Sequence, residues 1–516
     1  MNALLPSAIF LVYTLFIFLI SRLTSRKADD DAFYRGNRRS PWYVVAYGMI
    51  GASLSGVTFL SEPGWVKDTQ FSYMMVVFGY VPGYVIIAFV LLPLYYRLNL
   101  TSIYACLENR FGICARRTGA SFFILSRAVG SSIRMFLTVY ILHLFVFRRW
   151  GVSFEPVAFV FAALILLYTF KGGIKTIVWT DALQTTFMLL AVGISVWLTG
   201  KEMGWSLPEI FRQVKESEYS GMVVTDWTDR RFYLKQFLSG IFIPIVMTGL
   251  DQDMMQKNLS CRTLRDAQKN MLSFGAVLIA VNLLFLTLGA VLVMYAQAGN
   301  IETADTDLLF ADIAVNRLGG IAGVVFIVGL VAAAYSSADG TLAALTTSFC
   351  IDVLRLDKRC PTPRKRTRIR HFVHLSFTLL AFLLMVGLKQ MDNRAVIDRF
   401  FVVAGYTYGP LLGLYSFGLC TKMQVRDRLV PLIAVASPLL TCLLDHCSEQ
   451  WLWGYRFGFE LLMVNGLITF AGLWLCRKKP DDGSENRPSF GGFRETQTSP
   501  SGDMLKWKDH ENPFIL

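Results

Sequence analysis

Residues 51–56, Gly51-Ala-Ser-Leu-Ser-Gly56, and residues 333–337, Ala333-Ala-Tyr-Ser-Ser337, decide how this chain folds. Each stretch lies inside an apolar segment long enough to span a bilayer, yet it is rich in small and hydroxyl-bearing residues. In hydrocarbon an unpaired backbone carbonyl or hydroxyl is costly, so such residues persist only where protein, water or an ion satisfies them. Two such clusters facing each other can supply oxygens to a desolvated sodium ion. The pattern predicts an ion-coupled transporter.

The composition also indicates a membrane protein. The chain has 516 residues, of which 54% are hydrophobic and 17% charged, against about 25% charged in soluble proteins. Its net charge of +13 could indicate a nucleic-acid partner. The basic residues lie in short loops between apolar runs, however, where membrane lipid and orientation explain them better. The five histidines form no HExxH, and there is no Gly-x-Ser-x-Gly or P-loop, so we expect neither an enzyme nor an ATP-driven pump.

Apolar runs of helical length recur along the chain and predict an all-α integral membrane protein with thirteen transmembrane helices. The predicted spans are 4–21, 42–63, 72–96, 118–147, 153–170, 174–199, 233–256, 266–296, 320–350, 371–388, 395–419, 428–446 and 455–476.

The distribution of Lys and Arg predicts the orientation. Loop 22–41 has six basic residues, loop 257–269 has four, beginning with Lys257, and loop 351–370 has eight, whereas loop 297–319 is acidic. We therefore expect a multi-pass plasma-membrane protein, in a bacterium the inner membrane, with the N-terminus outside and the C-terminus in the cytoplasm. The polar tail, 477–516, is predicted to be disordered.

Two blocks of five spans, 42–199 and 233–419, enter the membrane in opposite orientations. This is the arrangement of a five-plus-five inverted repeat, in which the first helix of each block is expected to be broken. The first helix of the second block contains Pro244, which removes a backbone donor in mid-span. Small residues in either helix alone could instead serve plain packing or a kink. The remaining segments are an extra N-terminal helix with a basic loop, an extracellular loop and two C-terminal helices, at 1–41, 200–232 and 420–476.

Eight short motifs occur in the order found in one transporter family. They are Tyr34-Arg-Gly-Asn-Arg38, Gly51–Gly64, Leu100-Thr-Ser-Ile-Tyr104, Glu108-Asn-Arg-Phe-Gly112, Tyr168-Thr-Phe-Lys-Gly-Gly173 running into Trp179-Thr-Asp-Ala-Leu-Gln184, Asp251-Gln252 with Gln256-Lys257, Ala333–Asp339 and Gly409-Pro-Leu-Leu-Gly413. From about residue 33 to residue 422 the chain resembles the sodium:solute symporter family. Within it, the chain looks most like the branch of iodide, monocarboxylate and multivitamin symporters. The resemblance implies the amino-acid-transporter type of inverted-repeat fold and sodium as the coupling ion.

The resemblance implies a main sodium site formed by the backbone carbonyls of Gly51, Leu54 and Ala333 and the hydroxyls of Ser336 and Ser337. Chemistry supports this set, because a broken helix frees carbonyls at the negative end of its first half. Neutral ligands also allow the ion to leave again. The alternative is that both serine hydroxyls bond back to the preceding turn of their own helix.

The resemblance also implies a second cation or proton site at Asp181, which some members use for a second sodium ion. This chain has Ala333 where a serine would add a ligand, so we expect one sodium ion. Asp181 could instead hold a proton or pair with a basic neighbour, since an intramembrane carboxylate has some such role.

The solute is expected to contact six residues: Ser55, Thr58, Arg134, Met247, Thr248 and Phe401. In the sugar-transporting branch, polar groups stand where this chain has Val77, Met247-Thr248 and Phe401, so a hexose is disfavoured. Arg134 could clamp a solute carboxylate. It could equally pair with Asp251 or Asp181, or face a water-filled vestibule.

The sequence thus predicts sodium-coupled import of a small organic solute that bears a carboxylate. The alternative is a sodium- or proton-coupled symporter of a neutral solute such as a sugar or polyol. A channel or receptor of similar hydropathy would not require paired broken helices in inverted blocks.

Overall fold

The computed structural model describes residues 4–25, 29–301, 308–391, 406–452 and 454–478. Over these residues the chain is helical, with three isolated β-bridges in its connections. The main helices are α1 (Leu4–Thr24), α2 (Asp30–Arg35), α3 (Trp42–Ser53), α4 (Gly56–Thr69), α5 (Met74–Arg97), α6 (Ala105–Arg110), α7 (Ile113–Phe147), α8 (Phe154–Thr169), α9 (Ile174–Glu202), α10 (Leu207–Glu216), α11 (Tyr233–Gly249), α12 (Gln252–Asn258), α13 (Leu264–Ala298), α14 (Gly320–Val353), α15 (Pro363–Met391), α16 (Tyr408–Cys420), α17 (Asp427–Trp451) and α18 (Leu461–Leu475).

The helices follow the apolar runs of the sequence. Within the described residues, seven helices are long and apolar enough to cross a membrane, and two further bent pairs pass the same test together. Each of the thirteen predicted spans overlaps a helix, and the described part of span 395–419 is α16. The predicted tail, 477–516, lies outside the described residues from position 479 onward. The prediction of an all-α membrane protein is confirmed.

The first predicted break lies between α3 and α4, which form an angle of 62°. Leu54 has extended backbone angles, and its N–H donates to the Ile50 carbonyl as the last bond of α3. Ser55 then caps α4, because its side chain accepts a hydrogen bond from the N–H of Thr58. The carbonyls of the final turn of α3 therefore have no intrahelical donor. The break predicted from the Gly/Ser pattern is confirmed.

The second break lies between α11 and α12, which form an angle of 72°. The chain does not bend at Pro244, which lies inside α11 and is followed by a wide helical turn, Ile245–Gly249. The bend comes after Gly249, where Asp251 caps α12 by accepting hydrogen bonds from the backbone N–H groups of Asp253 and Met254.

Helix α14 is continuous through Ala333–Ser337. Its hydroxyl-bearing residues interrupt the apolar sequence, but the helical backbone is unbroken. The hydroxyls are accommodated because they are buried among neighbouring helices. Helix α9 makes the most extensive packing contact with α14 and also packs on α3. The end of α3, the middle of α9 and the middle of α14 therefore lie together in the interior.

Loops predicted to lie in the cytoplasm contact one another at one end of the helices. Ser40 forms a β-bridge with Cys261, and Arg110 donates to the carbonyls of Thr421 and Met423. Ion pairs add to this end: Arg116 binds Asp352 at 2.9 Å in a buried pair, and the partly exposed Glu108 binds both Arg116 and Arg355. At the other end, the N–H of Phe71 donates to the carbonyl of Gly221.

Candidate functional site

Three helices approach closely at Gly51, near the end of α3. The N–H of Gly51 donates to Thr185 Oγ1 of α9 at 3.0 Å. A Cβ at Gly51 would overlap that oxygen and would lie 3.1 Å from Ser336 Oγ of α14. Only glycine permits this approach, which brings the carbonyl end of α3 beside the serine pair of α14.

The two serines make different hydrogen bonds. Ser336 donates to Asp181 Oδ1 at 3.0 Å, whereas Ser337 donates to the Ala334 carbonyl in its own helix at 3.1 Å. Bonding back to the preceding turn therefore occurs at Ser337 and not at Ser336. A donating hydroxyl keeps its acceptor lone pairs, so both oxygens can still coordinate a cation. Ala333 lies on the same buried stretch of α14.

Asp181 is paired with a buried lysine. Lys257 Nζ lies 2.8 Å from Asp181 Oδ2 and 3.5 Å from Asp253 Oδ1, and the lysine side chain is 1% exposed. Counting Lys257 among the loop charges was wrong, because it lies at the end of buried helix α12. Asp253, four residues before it on the same helix, was the signal that could have identified it. Of the alternatives for Asp181, the structure shows the basic neighbour.

A cavity of about 550 Å³ lies beside the α3–α4 break. It is lined by most of the residues predicted to contact the solute: Ser55, Thr58, Arg134, Met247 and Thr248. Phe401 lies outside the described residues. Leu54, predicted as a sodium ligand, also lines the cavity. The break therefore places the backbone of the predicted sodium site next to the cavity.

Sequence reasoning missed several polar residues of the cavity wall. Tyr73, Tyr80 and Tyr84 line it from α5 and the turn before it, and Asn282 lines it from α13. The hydroxyls of Tyr73 and Tyr80 are hydrogen-bonded to each other at 2.8 Å. An amide within the predicted span 266–296 was a signal for Asn282. No sequence motif distinguishes the three tyrosines from aromatic residues that serve only to pack the interior.

The two arginines of α7 differ in their partners. Arg127 Nε lies 2.6 Å from Asp251 Oδ2, and the Asp251 side chain is fully buried. Arg134 lines the cavity and lies within ion-pair distance of no carboxylate among the described residues. Both carboxylates considered as its partners are engaged, Asp251 with Arg127 and Asp181 with Lys257. The cavity wall thus carries a guanidinium with no described counter-ion.

Comparison with known proteins identifies the family of this chain. The family described as "Sodium:solute symporter family" matches residues 33–423. The chain is 24% identical over 434 residues to the sodium/sialic acid symporter SiaT of Proteus mirabilis, covering 80% of this chain and 85% of that protein. It is 25% identical over 414 residues to the human sodium/iodide cotransporter, covering 78% of this chain and 62% of that protein.

A solved structure has the same fold. It is a substrate-bound, outward-open state of a Na⁺-coupled sialic acid symporter, with a TM-score of 0.79 at 20% identity, covering 91% of this chain and 97% of that one. The family match covers most of the chain and includes both breaks and the serine pair. The protein is therefore a sodium-coupled membrane transporter and not an enzyme. This chain belongs to the sodium:solute symporter family.

Proposed function

We propose that this protein imports a small carboxylate-bearing solute together with sodium by alternating access. The observation that carries the proposal is Arg134, whose guanidinium lines the cavity without a described counter-ion. A permanently charged group within a membrane requires an anionic or polar partner. Because the nearby protein carboxylates are already paired, the solute is the partner we infer.

The shape of the guanidinium favours a carboxylate. Its planar fork binds a carboxylate through two parallel hydrogen bonds, which are stronger than neutral ones. Tyr73, Tyr80 and Asn282 add hydroxyl and amide groups along the wall, and these suit a solute whose remaining part is polar. The sialic acid symporters among the relatives carry an acid, which agrees with this proposal.

We propose one sodium ion per cycle, bound by the carbonyls of Gly51, Leu54 and Ala333 and the hydroxyls of Ser336 and Ser337. The convergence of Gly51 and Ser336 supports this site. A second ion at Asp181 is not needed, because the ammonium group of Lys257 already lies against its carboxylate. A tethered cation of this kind neutralises the carboxylate without leaving the protein.

Helix α12 offers a direct link between the two sites. At its C-terminal end, Lys257 binds Asp181, which accepts a hydrogen bond from Ser336. At its N-terminal end, Asp251 binds Arg127, which lines the cavity. We propose that sodium binding at Ser336 is transmitted to the cavity through this short helix. Allosteric coupling requires such an element with two arrangements.

The membrane arrangement we propose has thirteen spans. Support comes from the seven single helices, the two bent pairs, the three shorter apolar helices, Phe10–Thr24, Phe154–Thr169 and Leu461–Leu475, and the partly described α16. Residues 42–199 and 233–419 form the five-plus-five repeat, and each begins with a bent pair. The N-terminus lies outside and the C-terminus in the cytoplasm of a plasma membrane, with the basic loops gathered at the cytoplasmic end.

The test uses purified protein and a panel of solutes. Melting temperatures are measured in sodium and in potassium with monocarboxylates, sugar acids and their neutral alcohol or amide counterparts. We expect stabilisation by one or more carboxylates that requires sodium and is absent for the matched neutral compounds. Stabilisation by a neutral sugar or polyol without any effect of carboxylates would contradict the proposal and favour the neutral-solute alternative.

A further inference from the structure

Glu62 is a buried carboxyl group that the sodium and solute sites do not use. It lies on α4, one helical turn beyond the cavity-lining Thr58. Its side chain is 0% exposed. Neither of its carboxyl oxygens has a hydrogen-bond partner among the described residues, and no described cation pairs with it. No other glutamate in the described part of the chain has both oxygens buried and unpartnered.

The described contacts of the residues flanking Glu62 on α4 are with apolar side chains and backbone. Phe59 packs against Phe285, Phe310 and Phe326. A Cβ at Gly289 of α13 would overlap the Pro63 carbonyl, so α13 lies directly on the residue next to Glu62. Two titratable groups, Tyr73 and Tyr80, lie near Glu62 without a hydrogen bond to it, and their hydroxyls are bonded to each other at 2.8 Å. The elements packed against α4 also carry Arg134, Thr138, Asp312 with its partner Arg317, Glu218 and Tyr219.

An ionised carboxylate in such a place is unfavourable. Burying a charge without a partner costs so much that the group gives up its charge instead. A carboxyl group meets that condition by binding a proton. Burial and the two unpartnered oxygens of Glu62 impose this cost whether the surroundings are protein or lipid.

The outer part of α4 lacks one backbone hydrogen bond and ends at exposed residues. Pro63 has no N–H, so the helix bond to the Phe59 carbonyl is missing beside Glu62. Trp65, Lys67 and Asp68 follow within two turns and are exposed, and α4 ends at Thr69. Glu62 is buried within two turns of this exposed end, and a movement of the end away from α13 is the route by which we expect water to reach it.

We propose that Glu62 is a proton-binding site. The carboxylate takes a proton from external water when α4 packs as it does in this structure, and it returns that proton to water when α4 moves outward. Proton binding does not depend on the identity of the solute. The proposal rests on the proposed transport function and orientation, because alternating access supplies the outward movement and the orientation places the end of α4 outside.

The first test is infrared spectroscopy of the purified protein at neutral pH. We expect the carbonyl-stretch band of a protonated carboxylic acid, and we expect Glu62→Gln to remove one such group from the spectrum. The matched control is Glu449→Gln, at an exposed glutamate that pairs with Arg456 at 2.7 Å. The control should leave the band unchanged. Identical spectra for wild type and Glu62→Gln would overturn the proposal.

The second test is stability as a function of pH. The unfolded state releases the proton above a pH of about 4.3, whereas the folded state keeps it, so unfolding releases one proton at neutral pH. Relative to Glu62→Gln, the wild type should therefore lose stability as pH rises from 5 to 8. The ratio of the unfolding constants should change about tenfold per pH unit. A constant ratio would contradict proton binding by the folded protein.

A second variant, Glu62→Met, allows the same test if the Glu62→Gln protein does not fold. Methionine has a similar length and no charge, so a site that holds the neutral acid should accept it, with the same pH dependence relative to wild type. If both variants lose the fold at every pH while Glu449→Gln does not, Glu62 has an ionic partner and the proposal is wrong.

The third test concerns opening. A cysteine at position 58, in a background without the exposed native cysteines, is labelled from outside with a membrane-impermeant maleimide. Ionisation of the thiol itself raises the labelling rate as pH rises, with or without Glu62. The additional increase caused by ionisation of Glu62 should disappear in Glu62→Gln. If the labelling rate depends on pH in the same way with Glu62 present and in Glu62→Gln, ionisation of Glu62 does not promote opening. That result would refute the proposed release of the proton on outward movement.

Discussion

The substitution Lys257→Met tests the proposed role of the buried lysine. Lys257 and Asp181 are both 1% exposed, and their charged atoms are 2.8 Å apart. Asp253 Oδ1 lies 3.5 Å from the same ammonium group. Removing the ammonium leaves two buried carboxylates without their cation. Breaking a buried ion pair in this way costs about 3–5 kcal/mol, because the remaining charge keeps its desolvation penalty.

The double variant Lys257→Met with Asp181→Asn separates this cost from the loss of lysine packing. Replacing both partners by neutral groups of similar size is often close to neutral in stability. We therefore expect the single variant to unfold far more readily than wild type, and the double variant to recover part of the loss, because Asp253 still lacks its cation. Chemical denaturation of four purified proteins, namely wild type, Lys257→Met, Asp181→Asn and the double variant, measures the coupling energy as a double-mutant cycle.

The same variants test the number of sodium ions. In Lys257→Met, the carboxylate of Asp181 is free to bind a cation beside Ser336, so sodium should stabilise this variant more strongly than it stabilises wild type. In the double variant the extra stabilisation should be absent. Ligand binding to the folded state raises stability with concentration, so a sodium titration of melting temperature provides the measurement. A Lys257→Met protein as stable as wild type, with an unchanged sodium response, would refute the reasoning.

Three further predictions concern the sodium site and the topology. Ser336→Ala removes an oxygen from the proposed site and should weaken apparent sodium affinity tenfold or more, on the scale of about 1.5–3 kcal/mol for a hydrogen bond to a charge; an unchanged sodium titration would remove Ser336 from the site. Gly51→Ala should destabilise the protein and reduce sodium binding, because its Cβ would overlap Thr185 Oγ1. Adding Thr185→Ala to the same chain should restore part of the stability. If the second substitution restores none of it, the clash lies elsewhere. Cysteine labelling in intact cells should reach position 226 in the outer loop but not position 364 in the basic loop, both of which are exposed; labelling of position 364 would invert the proposed orientation.

The sequence predicted well those features that depend on local chemistry. Apolar runs located the helices because a membrane span must satisfy its backbone internally. The Gly/Ser cluster around Gly51 located the first break, and the arginine at position 134 stood out because charge within a span is rare. These signals require only neighbouring residues along one helix.

The features that sequence reasoning missed depend on contacts between distant segments. Lys257 was read as a loop charge because its partner, Asp181, lies 76 positions earlier in the chain. Pro244 suggested where the second span is disturbed, yet the wide turn Ile245–Gly249 carries the helix past it. Glu62 attracted no notice inside its predicted span, because only the packing of α13 and the neighbouring tyrosines leaves its carboxyl group without a partner.

The most direct test of carboxylate transport is the behaviour of Arg134→Lys in the presence of the solute that the screen identifies. Lysine keeps the charge and loses the planar fork. Arg127→Lys is the matched control on the same helix, at an arginine that pairs with Asp251.

The decisive measurement is the solute-induced shift in melting temperature, in saturating sodium, for wild type and both variants, together with the sodium-induced shift without solute. For Arg134→Lys we predict a near-normal sodium shift and a solute affinity reduced at least tenfold. For Arg127→Lys we predict lower stability, with both shifts reduced together. A well-folded Arg134→Lys protein that binds the carboxylate as tightly as wild type would contradict the account and leave a neutral solute as the cargo.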